Sequence, residues 1–322
     1  MKRLLLTLAV LAMFAVPKAF SQKLLTTIPI DGRPGHLAVN TTTNMIYVPN
    51  ETLNTLEVIN GSSNQVVANI PLGSAPFAAA VDPATNVVYV TVPNSSVVVV
   101  NGATNTVTAT IATAAPPSWI AVNPATDLIY FSTSSSGNGA VGVIDGATNQ
   151  IVRTLSLLTG CCSGAIAVNT TTNHIYVADN SSTKQLAVID GNTNELQTLS
   201  VAGVCDFGYV AVDITLNRIY VADDACSGLY VINGATETLV AVLLPHYFGP
   251  ITVSSNNHQV ADFSLNILSF VNGRTGSAVG GNVSFPQSQQ AVSLVAGGHD
   301  RYYVSLYGGS GSGVGVVSGP TR

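Results

Sequence analysis

Apolar residues in this chain fall in short runs separated by turns of Asn, Thr, Asp, Ser and Gly. The runs are filled with Val, Ile, Thr and Tyr, side chains that suit a pleated, packed surface. Past residue 21 there is no 3.6-residue periodicity of the kind an amphipathic helix needs. The pattern therefore predicts strands and tight turns throughout.

The strands repeat as a unit. An Ala-Val-Asn/Asp strand is followed by a polar turn, an Ile-Tyr-Val strand, an Ile-Asp/Asn-Gly strand and turn, and one more apolar strand. In the first copy these are HLAVN (36–40), TTTN (41–44), MIYVPN (45–50), LEVINGSSN (56–64) and QVVANIPL (65–72). The strand-ending tyrosine recurs at Tyr47, Tyr89, Tyr130, Tyr176, Tyr220 and Tyr303, with Ala261 in its place in a weak sixth copy. A second marker recurs at Asn60-Gly61, Asn101-Gly102, Asp145-Gly146, Asp190-Gly191, Asn233-Gly234, Asn272-Gly273 and Ser318-Gly319. Both markers count seven copies, about 43 residues apart.

Four short strands in a unit of that length are the signature of a β-propeller blade. The expected fold is all-β, a seven-bladed β-propeller of four-stranded blades. Turn chemistry agrees. In DPATN (82–86) and NPATD (123–127), Pro pre-sets φ and the last Asn or Asp tolerates a left-handed backbone. In NGATN, DGATN and NGATE the Gly is expected to supply a positive φ for a hairpin. The seventh copy, ending VGVVSGPTR, lacks a fourth strand, whereas KLLTTIPI (23–30) has a fourth-strand pattern with nothing before it. The amino-terminal strand is therefore expected to complete the last blade and leave no open sheet edge between the ends.

Composition sharpens this picture. The chain has 322 residues, 47% of them hydrophobic and only 8% charged, where about a quarter is typical. Disorder is excluded, because it needs low hydrophobicity and high charge. Beyond the leader no apolar run reaches the ~20 residues of a spanning helix. Length suggests two domains, but the repeat assigns residues 22–322 to one ring.

Residues 1–21 read as a secretory signal peptide. Lys2 and Arg3 precede an apolar stretch from Leu4 to Val16, and Ala19-Phe20-Ser21 supplies small residues before a cut at Gln22. The expected location is periplasmic, secreted or cell-surface. Lys2, Arg3 and Lys18 leave with the leader, so the mature chain carries eight basic against 16 acidic groups, a net −8. The remaining basic residues are scattered singly, which argues against nucleic-acid binding.

The repeat resembles the YVTN family of β-propeller repeats, through YVPN (47–50), YVTV (89–92), YFST (130–133), YVAD (176–179), YVAD (220–223) and YVSL (303–306). The flanking AVNPATN-like and VIDGATN-like segments extend the resemblance over residues 23–319. It implies an exported propeller of the surface-layer or periplasmic type. Related propellers include lactonases, a streptogramin lyase and a periplasmic DNA-binding protein. The resemblance carries over no catalytic residue.

Propeller geometry sorts the candidate residues. The loop entering each innermost strand and the loop between second and third strands share an upper face, where the channel opens. The turns between first and second strands lie on the lower face. His36, Phe77, Trp119, Tyr209 and His246 fall at the upper mouth, an aromatic and His collar suited to a small or sugar-like ligand; the alternative is that they plug the channel top and pack against each other. His174, His258 and His299 fall on the lower face. Asp179, Asp206, Asp223 and Asp224 are weak metal candidates in upper loops, with no spaced ligand motif, and turn-forming is the competing role. Cys161, Cys162, Cys205 and Cys226 lie in one sector, and an even count in an exported chain favours disulfides. Four cysteines allow three connectivities; a bond from the Cys161/Cys162 pair to Cys205 or Cys226 is expected.

No HExxH, CxxC, GxSxG or phosphate loop occurs. The expected function is binding or scaffolding through the upper face, by a monomer without cofactor, with a protein, glycan or small molecule as partner. The alternatives are a lactonase-like or lyase enzyme at the channel mouth, needing a base and an oxyanion stabiliser there, and a surface-assembly module.

Overall fold

The computed structural model describes residues 22–133, 139–157, 163–201, 203–205, 207–223, 228–243, 249–309 and 311–319, except 180–184. These form seven four-stranded antiparallel sheets with no helix. Six blades follow the chain, over residues 38–71, 78–112, 117–156, 163–199, 209–243 and 251–284. The seventh takes its inner three strands from residues 289–318 and its outermost from Lys23–Ile30. That strand pairs with Ser312–Ser318, Lys23 opposite Ser318 and Ile30 opposite Ser312, as the unpaired KLLTTIPI segment predicts.

The apolar runs explain how the blades assemble. Third strands such as Ser96–Asn101 and Ala140–Asp145 are buried at all four central positions. Alternation disappears because a neighbouring blade covers each face. Among the described residues the core divides into seven clusters, and each joins one blade to the next. The cluster that closes the ring joins Ile28, Ile30, Val314 and Val316 of blade seven to Leu37, Ile46 and Val48 of blade one.

The repeat markers gather on the lower face, where they join blades. The Asn40 Nδ2 amide donates to Asn86 Oδ1 of the next blade at 2.7 Å, and the Tyr47 hydroxyl donates to the same oxygen at 3.2 Å. Asn123 to Asn173 (2.7 Å) and Asn169 to Asn217 (2.8 Å) repeat the bridge at two later junctions. The accepting Asn sits in the left-handed region each time, with φ of 57°, 56° and 48° at Asn86, Asn173 and Asn217.

The Asn-Gly turns differ from the sequence expectation. The residue at positive φ is the last of the turn, as at Asn64, Asn105 and Asn149. The glycine is needed instead for close approach. A Cβ at Gly146 would lie 2.1 Å from Asp127 Oδ1, and one at Gly61 2.6 Å from Asn44 Oδ1. The Gly61 N–H donates to the Asn44 carbonyl at 2.8 Å, so the two lower turns of the blade are pressed together.

The weak sixth copy still makes a blade, but its fourth strand shrinks to Val283–Ser284. Gly276 and Gly280 there adopt positive φ, and glycines weaken a strand interior. Gln22 pins this outer segment, donating to the Val279 carbonyl and accepting from the Gly281 N–H.

Two predictions follow from these contacts. Ile28 and Ile30 are each 4% exposed, so Ile28→Ala should cost about 2–4 kcal/mol and deletion of 22–30 far more. A truncated chain whose denaturation midpoint equals that of the full chain would show that the strand does not close the ring. At the junction of blades two and three, Asp82 and Asp127 occupy the places of Asn40 and Asn86. Burial, then the charges of Asp82 and Asp145, raise the Asp127 carboxyl above its usual range. A raised carboxylate favours the folded state below its folded pKa, and that contribution is lost as pH rises through it. Asp82→Asn restores the amide donor. It should raise the thermal midpoint at pH 7, with the gain shrinking toward pH 4 in parallel melts.

Candidate functional site

The upper mouth is built by backbone contacts between blades. Gly35 and His36 run beside the innermost strand of blade two: the His36 N–H donates to the Phe77 carbonyl, and the Ala79 N–H donates to the His36 carbonyl, both at 2.9 Å. A Cβ at Gly35 would lie 2.3 Å from the Phe77 carbonyl oxygen, so only glycine permits this approach. Blade seven holds the same segment through the Ser305 hydroxyl, which donates to the Gly35 carbonyl at 3.1 Å. The Thr91 hydroxyl of blade two donates to the Ser118 carbonyl of blade three at 2.6 Å, and the Trp119 N–H donates to Ser132 Oγ at 3.2 Å.

These contacts bring four of the five mouth candidates together. The His36 ring lies 4.0 Å from Trp119 and 4.8 Å from Phe77 between centroids. Phe77 and Tyr209 meet Trp119 edge-on, at 6.0 and 5.7 Å. Edge-to-face contact suits the ring quadrupoles. The group forms one aromatic wall contributed by blades one, two, three and five. His246, the fifth candidate, lies outside the described residues.

Around that wall the seven innermost strands enclose a cavity of about 150 Å³. Its lining is mixed: Leu37, Ile120, Val210, Ile251 and Leu294 are apolar, while His36, Trp119, Tyr209 and Ser293 bring polar atoms to it. His36 is its one titratable imidazole. Burial, then the nearby Arg33 charge, pushes His36 down to about 3. It is therefore neutral at physiological pH, and among the described residues no lining side chain carries a formal charge.

The other candidates separate. His174, His258 and His299 lie on the lower face as the repeat geometry places them: His174 opens the second strand of blade four, and the other two occupy first-to-second turns. The Asp223 carboxylate is fully buried, and its Oδ2 accepts the Cys205 N–H at 2.7 Å. Asp206 and Asp224, the Asp179 side chain, and Cys161, Cys162 and Cys226 lie outside the described residues. Among the described residues no cluster of three or more His, Cys, Asp or Glu side chains is placed to hold a metal ion.

One residue beside the mouth went unremarked in the sequence. Asp262 is fully buried in the second strand of blade six, where the other blades carry Val48, Val90, Phe131, Val177, Val221 and Val304. It pairs in register with Ile251 of the cavity lining. The signal was present: the sixth copy replaces Tyr-Val by Ala261-Asp262, a placed acid as well as a degenerate repeat.

Comparison with known proteins supports the fold alone. No family model matches the chain, and no curated protein matches it. Among solved structures it is similar to a chain of Kuenenia stuttgartiensis hydrazine synthase, with a TM-score of 0.72 and 13% identity, covering 88% of this chain and 98% of that one. It is also similar to the structure of U3-55K, with a TM-score of 0.77 and 11% identity, covering 91% and 98%.

The part-buried imidazole gives a pH prediction. A His with depressed folded pKa takes up its proton more readily when unfolded, so its effect is to lower stability as pH falls below about 6.5. His36→Phe keeps the ring packing and should flatten that part of the acid slope in urea titrations. Trp119→Ala hydrates His36 and should move its NMR titration from about 3 back toward the ordinary range. A His36 that titrates normally in the unmodified chain would mean the wall does not exclude water.

Proposed function

We propose that the protein is an exported propeller of the YVTN repeat type that binds a ligand at its upper channel mouth without transforming it. The observation that carries this reading is the mouth itself, a cavity walled by His36, Phe77, Trp119 and Tyr209 with no charged side chain among the described residues of its lining. Concave sites that combine aromatic and aliphatic walls with a few placed polar groups are where proteins take small molecules or single groups of a larger partner. Aromatic faces with Trp and Tyr edges suit neutral sugars and apolar side chains alike.

The chemistry of His36 favours binding over the lactonase-like alternative. A general base works best with a pKa near the operating pH, and His36 sits far below it. Export rests on the leader-like residues 1–21 and on the even count of four cysteines in one sector, which suits disulfides in an oxidising compartment. The surface-assembly reading has no observation in its favour beyond the resemblance.

Trp119 is the chain's single tryptophan, so its fluorescence reports the mouth directly. Neutral oligosaccharides and apolar dipeptides titrated into the full chain should shift its emission in a saturable way. Tyr209→Ala should weaken a ligand so found about tenfold, the loss of one aromatic contact. A ligand bound with unchanged Trp119 emission, and with equal affinity in Trp119→Phe and Tyr209→Ala, would place the site elsewhere. Turnover of a lactone panel would restore the enzyme reading.

A further inference from the structure

The lower-face belt contains a junction built from different chemistry. Blades one and two, three and four, and four and five are bridged by neutral amides: Asn40 to Asn86, Asn123 to Asn173 and Asn169 to Asn217. Between blades five and six the same two places hold Asp213 and His258. Asp213 ends the innermost strand of blade five and is fully buried. His258 takes the left-handed position of blade six, with φ of 57°. Asp213 Oδ1 accepts the Thr215 and Leu216 N–H groups, each at 3.0 Å, as the Asn residues cap the other turns. Its Oδ2 lies 2.8 Å from His258 Nδ1, and His258 Nε2 lies 2.8 Å from an Arg274 Nη atom.

The donor and acceptor inventory fixes the state of the ring. An ionised carboxylate only accepts hydrogen bonds and a guanidinium only donates them. The imidazole between them must donate through Nδ1 and accept through Nε2, which is one neutral tautomer. A proton taken from solvent onto Nε2 puts an N–H against an N–H and a cation against a cation. The contact with Arg274 is then lost. The contact with Asp213 becomes an ion pair and persists, so the blades stay joined.

We propose that Asp213, His258 and Arg274 form an acid-operated latch: the neutral imidazole holds the Arg274 guanidinium against the lower face, and protonation releases it. The other titratable groups facing this junction leave that logic in place. Arg218 of blade five donates to the Gly273 and Arg274 carbonyls, and the Tyr220 hydroxyl donates to the Gly273 carbonyl at 3.1 Å. They clamp the backbone of the Arg274 turn while its side chain is free to leave. On the other side Asp300 of blade seven is taken up by the Asn257 amide at 3.2 Å. Release leaves the lower face with a mobile guanidinium beside an imidazolium, a local gain of positive charge on an acidic chain. The latch is independent of the upper mouth and of any ligand bound there.

The test is a pH titration of the full chain labelled with ¹⁵N at His and Arg. At pH 8 the His258 nitrogen shifts should report the Nδ1–H tautomer, and the Arg274 side-chain protons should exchange slowly. Both should change together on acidification, with a single midpoint and about tenfold faster Arg274 exchange below it, as expected for loss of a hydrogen bond to a charged group. His258→Asn installs the amide of the other junctions and should leave Arg274 insensitive to pH. An Nε2–H tautomer at pH 8, or Arg274 signals unchanged through the His258 midpoint, would overturn the latch. Should the variant not fold, the titration of the unmodified chain decides alone.

Discussion

No blade of this ring can bury its own two faces. Each is a single sheet, and its apolar side chains leave water only against the next blade. Stability therefore resides in the seven seams, and every seam needs both of its partners. That requirement makes third strands such as VVVV (97–100) apolar at every position, and it makes the closing seam, with Ile28 and Ile30, as necessary as any other. It also accounts for the low charge. A strand buried on both faces holds a charged side chain only at a cost, so few are found there and solubility falls to the turns, which use Asn, Thr and Ser.

The same requirement turns the repeat markers into joints. Tyr47 and Asn40 matter less to their own blade than to the next, because both donate to Asn86. The marker glycines let two lower turns of a blade touch. A belt of side-chain hydrogen bonds thus runs beneath the apolar seams, and it tolerates exchange of chemistry where geometry is kept. Amides serve three junctions, two acids meet at Asp82 and Asp127, and an acid with an imidazole serves at Asp213 and His258. Each exchange keeps an acceptor that caps its own turn, as Asp82 Oδ1 does for the Ala84 N–H at 2.8 Å, and changes only what crosses the seam.

Much of the fold was legible in the residues because local and global signals agree. The seven copies, the antiparallel four-strand order and the closure by KLLTTIPI all follow from apolar runs and turn residues. What was misread was a distance. Glycine after Asn suggests positive φ in isolation, but Gly146 is there because Asp127 stands 2.1 Å from where its Cβ would be, and no one-dimensional pattern carries that. At the candidate site the positions of His36, Phe77, Trp119 and Tyr209 were readable from the blade register. Their packing against one another was the competing reading; the geometry of the His36–Phe77 contact was not readable, because it depends on Gly35 letting blade one lean on blade two. Asp262 passed unnoticed for the opposite reason: a break in a repeat looks like decay until its register is known.

The pairing of Lys23–Ile30 with Ser312–Ser318 sets an order of events for a chain made from its amino end. Lys23–Ile30, the earliest strand among the described residues, has no partner until Ser312–Ser318 has been synthesised. Until then blade one shows an unburied face, and the edge of Lys23–Ile30 waits unsatisfied. Contacts across nearly 300 residues are the slowest kind to form, so closing this seam belongs late in folding. A chain stopped short of blade seven would carry two adhesive ends, and two such chains could join through them where one complete chain would have closed on itself.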